Sequence, residues 1–523
     1  MRRSLLAGAL LSIVWLAGSM AASSQSSPAP GSTTGQQYGR LVIRDATLVN
    51  GRGTPAEGPV DIVIDKDTIQ DIIPVDAVSI ANYGPTWKRP GGDRIIDAKG
   101  MYVLPGLVDM HAHIPGGGTR GSAGWDYSYK LWLGHGVTTL RDAGNGAGIE
   151  NLREHRRLGE ENKMTVPRLV LYQRWPNVSR QRVDGHSPET ARALVRKFKE
   201  MGADGVKVSK GPGHFPDVIA AICDEVKKLG MNGVAVDLKV SETDAVIASN
   251  AGVSTIEHWY GVPDAAIPGT QCFPSDYNYW DEDDRFRWAG HLWKEAEQRP
   301  EEILKVLDLM IRNGTVWDPT MVIYEANRDL ARIQGMAWHP RYSHPSLLEH
   351  WAPNPSNHGS YHHDWKTSDE IAWTENFQIW MKYVKAFFDR GGTLTVGSDA
   401  GAAYGLYGFS TIRELEVMQQ AGIHPIDVIK IATWNATKAL GLKNHCGVRI
   451  GCVADLAVVN GNPLDNFKVM YGNREGEGVR WTIKAGIVFD APALLRAVEE
   501  EVKKAKSGSR STESAEPSAR RRQ

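Results

Sequence analysis

The 523-residue sequence predicts an α/β protein, a (β/α)8 TIM-like barrel beside a small composite β-sandwich domain built from N- and C-terminal segments. Three observations predict it. Short apolar runs alternate with helical patterns between residues 101 and 440. β-rich runs split by Gly, Pro and Asp turns lie on both sides of that region. Five of the strand-like runs also end in groups able to hold a metal ion.

At the N-terminus, Arg2 and Arg3 precede an apolar run from Leu5 to Gly18 and the small residues Ser19-Met20-Ala21, the layout of a secretory signal peptide. The run is shorter than the ~20 residues that span a bilayer. Residues 1–21 are therefore expected to be cleaved and the protein exported, periplasmic or secreted, with no stable membrane insertion afterwards. Residues 22–39, rich in Ser, Pro, Gly, Thr and Gln, read as a flexible linker because they have too little apolar surface to offset ordering entropy.

A hydrophobic content of 41% with 23% charged residues fits a soluble globular chain with a sizeable core. The net charge of -1 gives no argument for nucleic acid or anionic lipid as a partner. The 4 cysteines are too few for a disulfide scaffold. Cys223 and Cys272 read as small apolar packing groups, whereas Cys446 and Cys452 flank a Gly-rich bend and can bridge in an oxidising compartment.

The first part of the sandwich, residues 40–100, contains Leu41–Val49, Val60–Ile64, Thr68–Ile73 and Arg94–Asp97. Its second part, residues 441–494, contains Val453–Val459 and Val479–Phe489, and residues 495–523 read as helical and then disordered. Between these halves the expected barrel strands are Tyr102–Met110, Val137–Arg141, Arg168–Tyr172, Gly205–Ser209, Gly233–Leu238, Thr255–Trp259, Thr315–Pro319 and Thr393–Ser398. Helical periodicity is clearest over Ser187–Met201, Pro216–Lys228, Glu302–Asn313 and Thr374–Arg390. Residues 260–301 and 324–373 read as long loops dense in rings, among them Tyr279, Trp280, Trp293, Trp351, His358, Tyr361 and Trp365. Such loops are expected as lids or pocket walls, the alternative being rings that only pack the loops onto the barrel.

In barrels of this kind the chemistry sits at the C-terminal ends of the strands. His111 and His113 close the first strand, and side chains at i and i+2 share a face, so the two imidazoles can grip one cation. Asp399 closes the last strand, beside the first once the barrel shuts. A carboxylate there can bind a metal and take a proton from its water; the alternative is an Asp that caps the next helix. His258 is a candidate third imidazole, with Glu257 expected to point the other way as a structural partner. Lys207 lies inside an apolar strand, where an unpaired ammonium is costly. Carbamylation to bridge two metals and a salt bridge to a barrel carboxylate both answer that cost.

PGLVDMHAH, GVTTLRDAG (Gly136 to Gly144), GADGVKV, STIEH and GSDAG occur in that order, followed by Ala432-Thr433-Trp434-Asn435-Ala436-Thr437 and Gly451-Cys452-Val453-Ala454-Asp455-Leu456. From Leu41 to Leu494 the chain resembles the amidohydrolase superfamily, in the branch of imidazolonepropionase-like proteins and Xaa-Pro dipeptidases. The resemblance implies hydrolysis of an amide or peptide-like carbon–nitrogen bond of a small molecule or dipeptide by metal-activated water, with Asp399 as acid and base. It implies one or two divalent ions, zinc foremost, with His111, His113, His258 and Asp399 as ligands, Lys207 as the carbamylated bridge, and Asp142 in a supporting position. The chain departs from the family at the fifth strand, where Asp237 stands in place of a histidine. Either Asp237 ligates through oxygen or the second metal position is weak or empty. The alternatives are a mononuclear cyclic-amidase or deaminase relative in which Lys207 is structural, and a catalytically degenerate binding protein. Arg141 or a loop histidine is a candidate for meeting a substrate carboxylate, and homo-oligomerisation is compatible with the sequence.

Overall fold

The computed structural model describes residues 35–116, 123–144, 146–178, 181–209, 215–239, 243–269, 273–278, 281–357, 359–360, 362–472 and 476–513. The expected signal peptide, most of the expected linker, residues 514–523, and Cys272, Tyr279, Trp280, His358 and Tyr361 lie outside the described residues. In chain order the strands are β1 (Gln36–Gln37), β2 (Arg40–Leu48), β3 (Glu57–Asp65), β4 (Thr68–Pro74), β5 (Arg94–Asp97), β6 (Met101–Pro105), β7 (Leu107–Ala112), β8 (Val137–Ala143) and β9 (Arg168–Trp175). A small hairpin of β10 (Asn177–Val178) and β11 (Gln181–Arg182) follows, then β12 (Gly205–Ser209), β13 (Val234–Asp237), β14 (Thr255–Glu257), β15 (Val316–Asp318), β16 (Leu456–Asn460), β17 (Gly478–Lys484) and β18 (Ile487–Asp490).

Strands β7, β8, β9, β12, β13, β14 and β15 form a parallel sheet in that order. The segment 393–399 fills the remaining gap. Trp317 N donates to Thr393 O at 3.0 Å, and Thr395 N donates to Trp317 O at 3.1 Å. On the other side Met110 N donates to Val396 O and Asp399 N to His111 O, both at 2.8 Å. The expected strand Thr393–Ser398 is thus a bridging segment that touches β15 through the Trp317–Leu394 pair rather than a full ladder. The barrel interior follows the layer rule for such folds, in which alternate strands supply each layer. Val108 and Met110 of β7, Val170 and Tyr172 of β9 and Ala235 of β13 form one apolar cluster, plugged by Ala436 and Leu440.

The second sheet has the order β1-β18-β17-β16-β6-β2-β3-β4, with β5 beside β2. Both ends of the chain therefore build it, and Leu41, Ile43, Ile62, Ile64, Leu456, Val458 and Ile483 pack in its core.

The structure refines the sequence reading in further places. The run expected as one barrel strand, Tyr102–Met110, is two strands in two sheets: β6 pairs with β16 and β2, and β7 with β8. The change of sheet falls at Gly106, where a Cβ would meet Thr138 Oγ1 at 2.3 Å, so only glycine lets the chain pass. Residues 36–37 of the expected linker pair with β18. The C-terminal helix extends over Ala491–Glu513, with Leu494, Leu495, Val498 and Val502 buried. The two ring-dense segments are largely helical, including Val262–Ala266, Glu282–Ala289, Leu292–Ala296, His339–Tyr342 and Pro345–Trp351. Trp293, Trp351 and Trp373 are fully buried there, so these rings fasten the insertions to the barrel. Cys446 and Cys452 form a disulfide, and Cys223 is a buried free thiol. Among the described residues no helix is long and apolar enough to cross a membrane.

Candidate metal centre at the strand ends

β7 carries a register irregularity between Asp109 and Ala112, and it delivers two imidazoles to the barrel mouth. His113 Nε2 lies 3.1 Å from Asp399 Oδ1, and His111 Nε2 lies 3.9 Å from the same oxygen. One donor atom from each of His111, His113 and Asp399 falls within 4.8 Å of the others, a spacing that one ion can span. The other Asp399 oxygen, Oδ2, lies 3.9 Å from His258 Nε2, and His258 Nε2 lies 3.7 Å from Asp237 Oδ2. Lys207 Nζ approaches His111 Nε2 at 3.4 Å. The structure thus gathers His111, His113, Lys207, Asp237, His258 and Asp399, six residues from five strand ends, around one mouth.

Backbone geometry at two of these positions is unusual. Asp399 has φ 46 and His258 has φ 61, both in the left-handed region that costs a non-glycine residue roughly 1–3 kcal/mol. The bend at His258 explains how Glu257 and His258 serve the same site although strand alternation would part them. The Asp318 carbonyl accepts from His258 N at 2.8 Å and holds the bend. Gly397 is required for space, since a Cβ there would sit 2.6 Å from His111 Cβ and 2.7 Å from Asp318 Oδ2.

His111 and His258 each have the second nitrogen engaged, which fixes ring orientation. His111 Nδ1 lies 2.7 Å from Glu257 Oε2. His258 Nδ1 meets the Thr320 hydroxyl. Glu257 is held in turn by Arg141, whose Nη2 donates to both its oxygens at 2.7 Å, and by Thr255 Oγ1 at 2.6 Å. Arg141 also reaches Asp318 Oδ2 at 3.3 Å and the Met110 carbonyl, and it is fully buried. It is therefore committed within the barrel, which removes it as the residue that meets a substrate carboxylate. Asp142 accepts from Ile114 N at 2.9 Å and steadies the turn after His113.

The electrostatics favour cation binding. Burial pushes the Asp399 carboxyl up, but His111, His113 and His258 together hold it well below the usual carboxylate range. Burial lowers His258 to about 3, so its imidazole is neutral at neutral pH, the form that ligates metals. His111 is also lowered, by burial first and Lys207 second. Burial lowers Lys207 too, with the nearby carboxylates opposing.

Sequence reasoning missed Arg141 as the partner of Glu257, Thr320 behind His258, and Lys239. Lys239 Nζ lies 3.0 Å from Asp237 Oδ2. Thr320 carried a readable signal, a polar residue just past a strand end, but the expected strand stopped at Pro319.

The sequence profile of the Amidohydrolase family matches residues 102–326 and 381–488. A deacetylase of Brucella anthropi is 31% identical over 127 residues, 23% of this chain and 28% of that protein. An imidazolonepropionase of Thermoplasma volcanium is 42% identical over 62 residues, 10% of this chain and 15% of that protein. The chain thus spans under a third of the length of these curated relatives. A crystal structure of a Xaa-Pro dipeptidase with bound methionine superposes with a TM-score of 0.59 at 20% identity, covering 86% of this chain and 100% of that one, which shows a shared fold.

Proposed function

Because the chain belongs to the amidohydrolase family, we propose that it hydrolyses a carbon–nitrogen bond in a small amide or peptide-like substrate, using a divalent ion, zinc foremost, held by His111, His113 and Asp399 with His258 alongside. One observation carries the reading: the donor atoms of His111, His113 and Asp399 converge within 4.8 Å at the mouth of the barrel. Two imidazoles and a carboxylate form an open three-ligand set of the kind catalytic zinc uses, and the burial of His111 supports the fit.

Held by His111, His113 and Asp399, a divalent ion would supply Lewis acidity, lowering the pKa of a water towards ~7 and polarising the scissile carbonyl. The chain's own groups do the rest. Asp399 stays ionised and accepts the proton of the attacking water, then gives it to the departing nitrogen. Glu257 and Arg141 keep His111 turned so that Nε2 faces the mouth. Tyr260 and Tyr324, whose hydroxyls are 3.5 Å apart, wall the side next to His258, with ring centroids 6.0 and 5.4 Å from its imidazole.

The stretch similar to a deacetylase makes N-acyl amino acids, with dipeptides, the first substrates to test. The Arg2-Arg3 and Leu5–Gly18 layout, together with the Cys446–Cys452 disulfide, supports export to an oxidising compartment. The test is a panel of dipeptides and N-acyl amino acids assayed with zinc, manganese and cobalt. Turnover that chelation abolishes and metal restores is expected. No turnover across the panel would favour a retained binding protein.

A further inference from the structure

We infer that the Lys239 ammonium stands where a second divalent ion would otherwise sit, so that this chain holds one metal ion and one built-in organic cation. The inference rests on the metal-centre reading above and concerns Asp237 and Lys239, which that reading leaves without a role.

The Asp237 oxygen that faces His258 Nε2 at 3.7 Å is the same atom that meets Lys239 Nζ at 3.0 Å. Lys239 follows Asp237 by two residues, so the end of β13 supplies both an anion and its counter-cation. The lysine is 8% exposed, and its ammonium lies 5.4 Å from the Tyr260 ring centroid and 5.9 Å from that of Phe286. Two aromatic faces and a carboxylate make a pocket for a cation, and a buried ammonium without such partners would be costly.

A divalent ion shared by Asp237 Oδ2 and His258 Nε2 would sit ~2.1 Å from that oxygen, hence within about 5 Å of the ammonium. Like charges that close in a buried site repel, and Lys239, unlike Lys207, already holds the very oxygen the ion would need, so the lysine and the ion compete for Asp237 Oδ2. The departure at the fifth strand agrees with this. An acid at position 237 is what an ammonium needs as a partner, and a neutral imidazole would not neutralise it. Asp237 Oδ1 is buried with no hydrogen-bond partner among the described residues, so removal of the lysine leaves the whole carboxylate open.

The experiment is elemental analysis of purified protein after dialysis against excess zinc. Wild type is expected to hold one equivalent, Lys239→Arg one, and Lys239→Met two, because the freed Asp237 and His258 then take up an ion. Two equivalents in wild type, or one in a folded Lys239→Met, overturn the inference and leave the metal-centre reading standing. No ion in wild type overturns both.

Discussion

Replacing Glu257 with Gln tests how the barrel interior holds the proposed metal ligands. The carboxylate sits between two cationic groups, the Arg141 guanidinium at 2.7 Å and the Lys207 ammonium at 3.9 Å, and it touches His111 Nδ1 at 2.7 Å. The amide keeps the volume and removes the charge. Among the described residues Arg141 then keeps only Asp318 as a buried anionic partner within 4.0 Å, at 3.3 Å. Breaking a buried ion pair from one side costs about 3–5 kcal/mol of stability. Loss of the group that orients a ligating imidazole weakens metal binding about 10–100-fold, or ~1.4–2.8 kcal/mol. Chelator competition gives the dissociation constant, and chemical denaturation of the metal-free protein gives the stability change. A dissociation constant within about threefold of wild type, together with unchanged stability, would refute the view that Arg141, Glu257 and His111 act as one unit.

Gly397→Ala places a methyl 2.6 Å from His111 Cβ and 2.7 Å from Asp318 Oδ2, so metal affinity should fall by at least tenfold while the far β-sheet domain keeps its hydrogen-exchange protection. Replacing Cys446 and Cys452 together with Ser should cost about 2 kcal/mol, the loop-closure value for a separation of 6 residues, and leave metal content unchanged. Burial and the neighbouring Asp364 raise the Asp283 carboxyl to about 7. A raised carboxyl contributes its full stability below its unfolded pKa near 3.8 and loses it as pH climbs towards 7. Asp283→Asn should therefore gain stability relative to wild type between pH 4 and 7, by up to roughly 1.4 kcal/mol per pH unit, and a gap that stays flat or narrows would contradict the assignment.

The residues gathered at the mouth were legible because each polar residue closes an apolar strand, as in the run from Thr393 to Asp399, and a strand buried on both faces tolerates such a group only at its end. The support behind them was not. Glu257 and His258 were assigned to opposite faces by strand alternation, which fails where His258 takes φ 61. The sheet change at Gly106 was hidden by continuous apolar residues on both sides of it. The role of the aromatic insertions was equally opaque, since a ring packed under a helix and a ring lining a pocket leave the same composition. Lys239 was invisible as a partner because Leu238, the one residue between it and Asp237, gives no sign that the turn folds the ammonium back.

The central claim is that His111, His113 and Asp399 share one ion. Anomalous diffraction at the zinc edge from zinc-loaded crystals tests it most directly. The account predicts a strong peak ~2.0–2.2 Å from His111 Nε2, His113 Nε2 and an Asp399 oxygen. A map with no peak among these three residues, or with zinc bound only elsewhere, would contradict it.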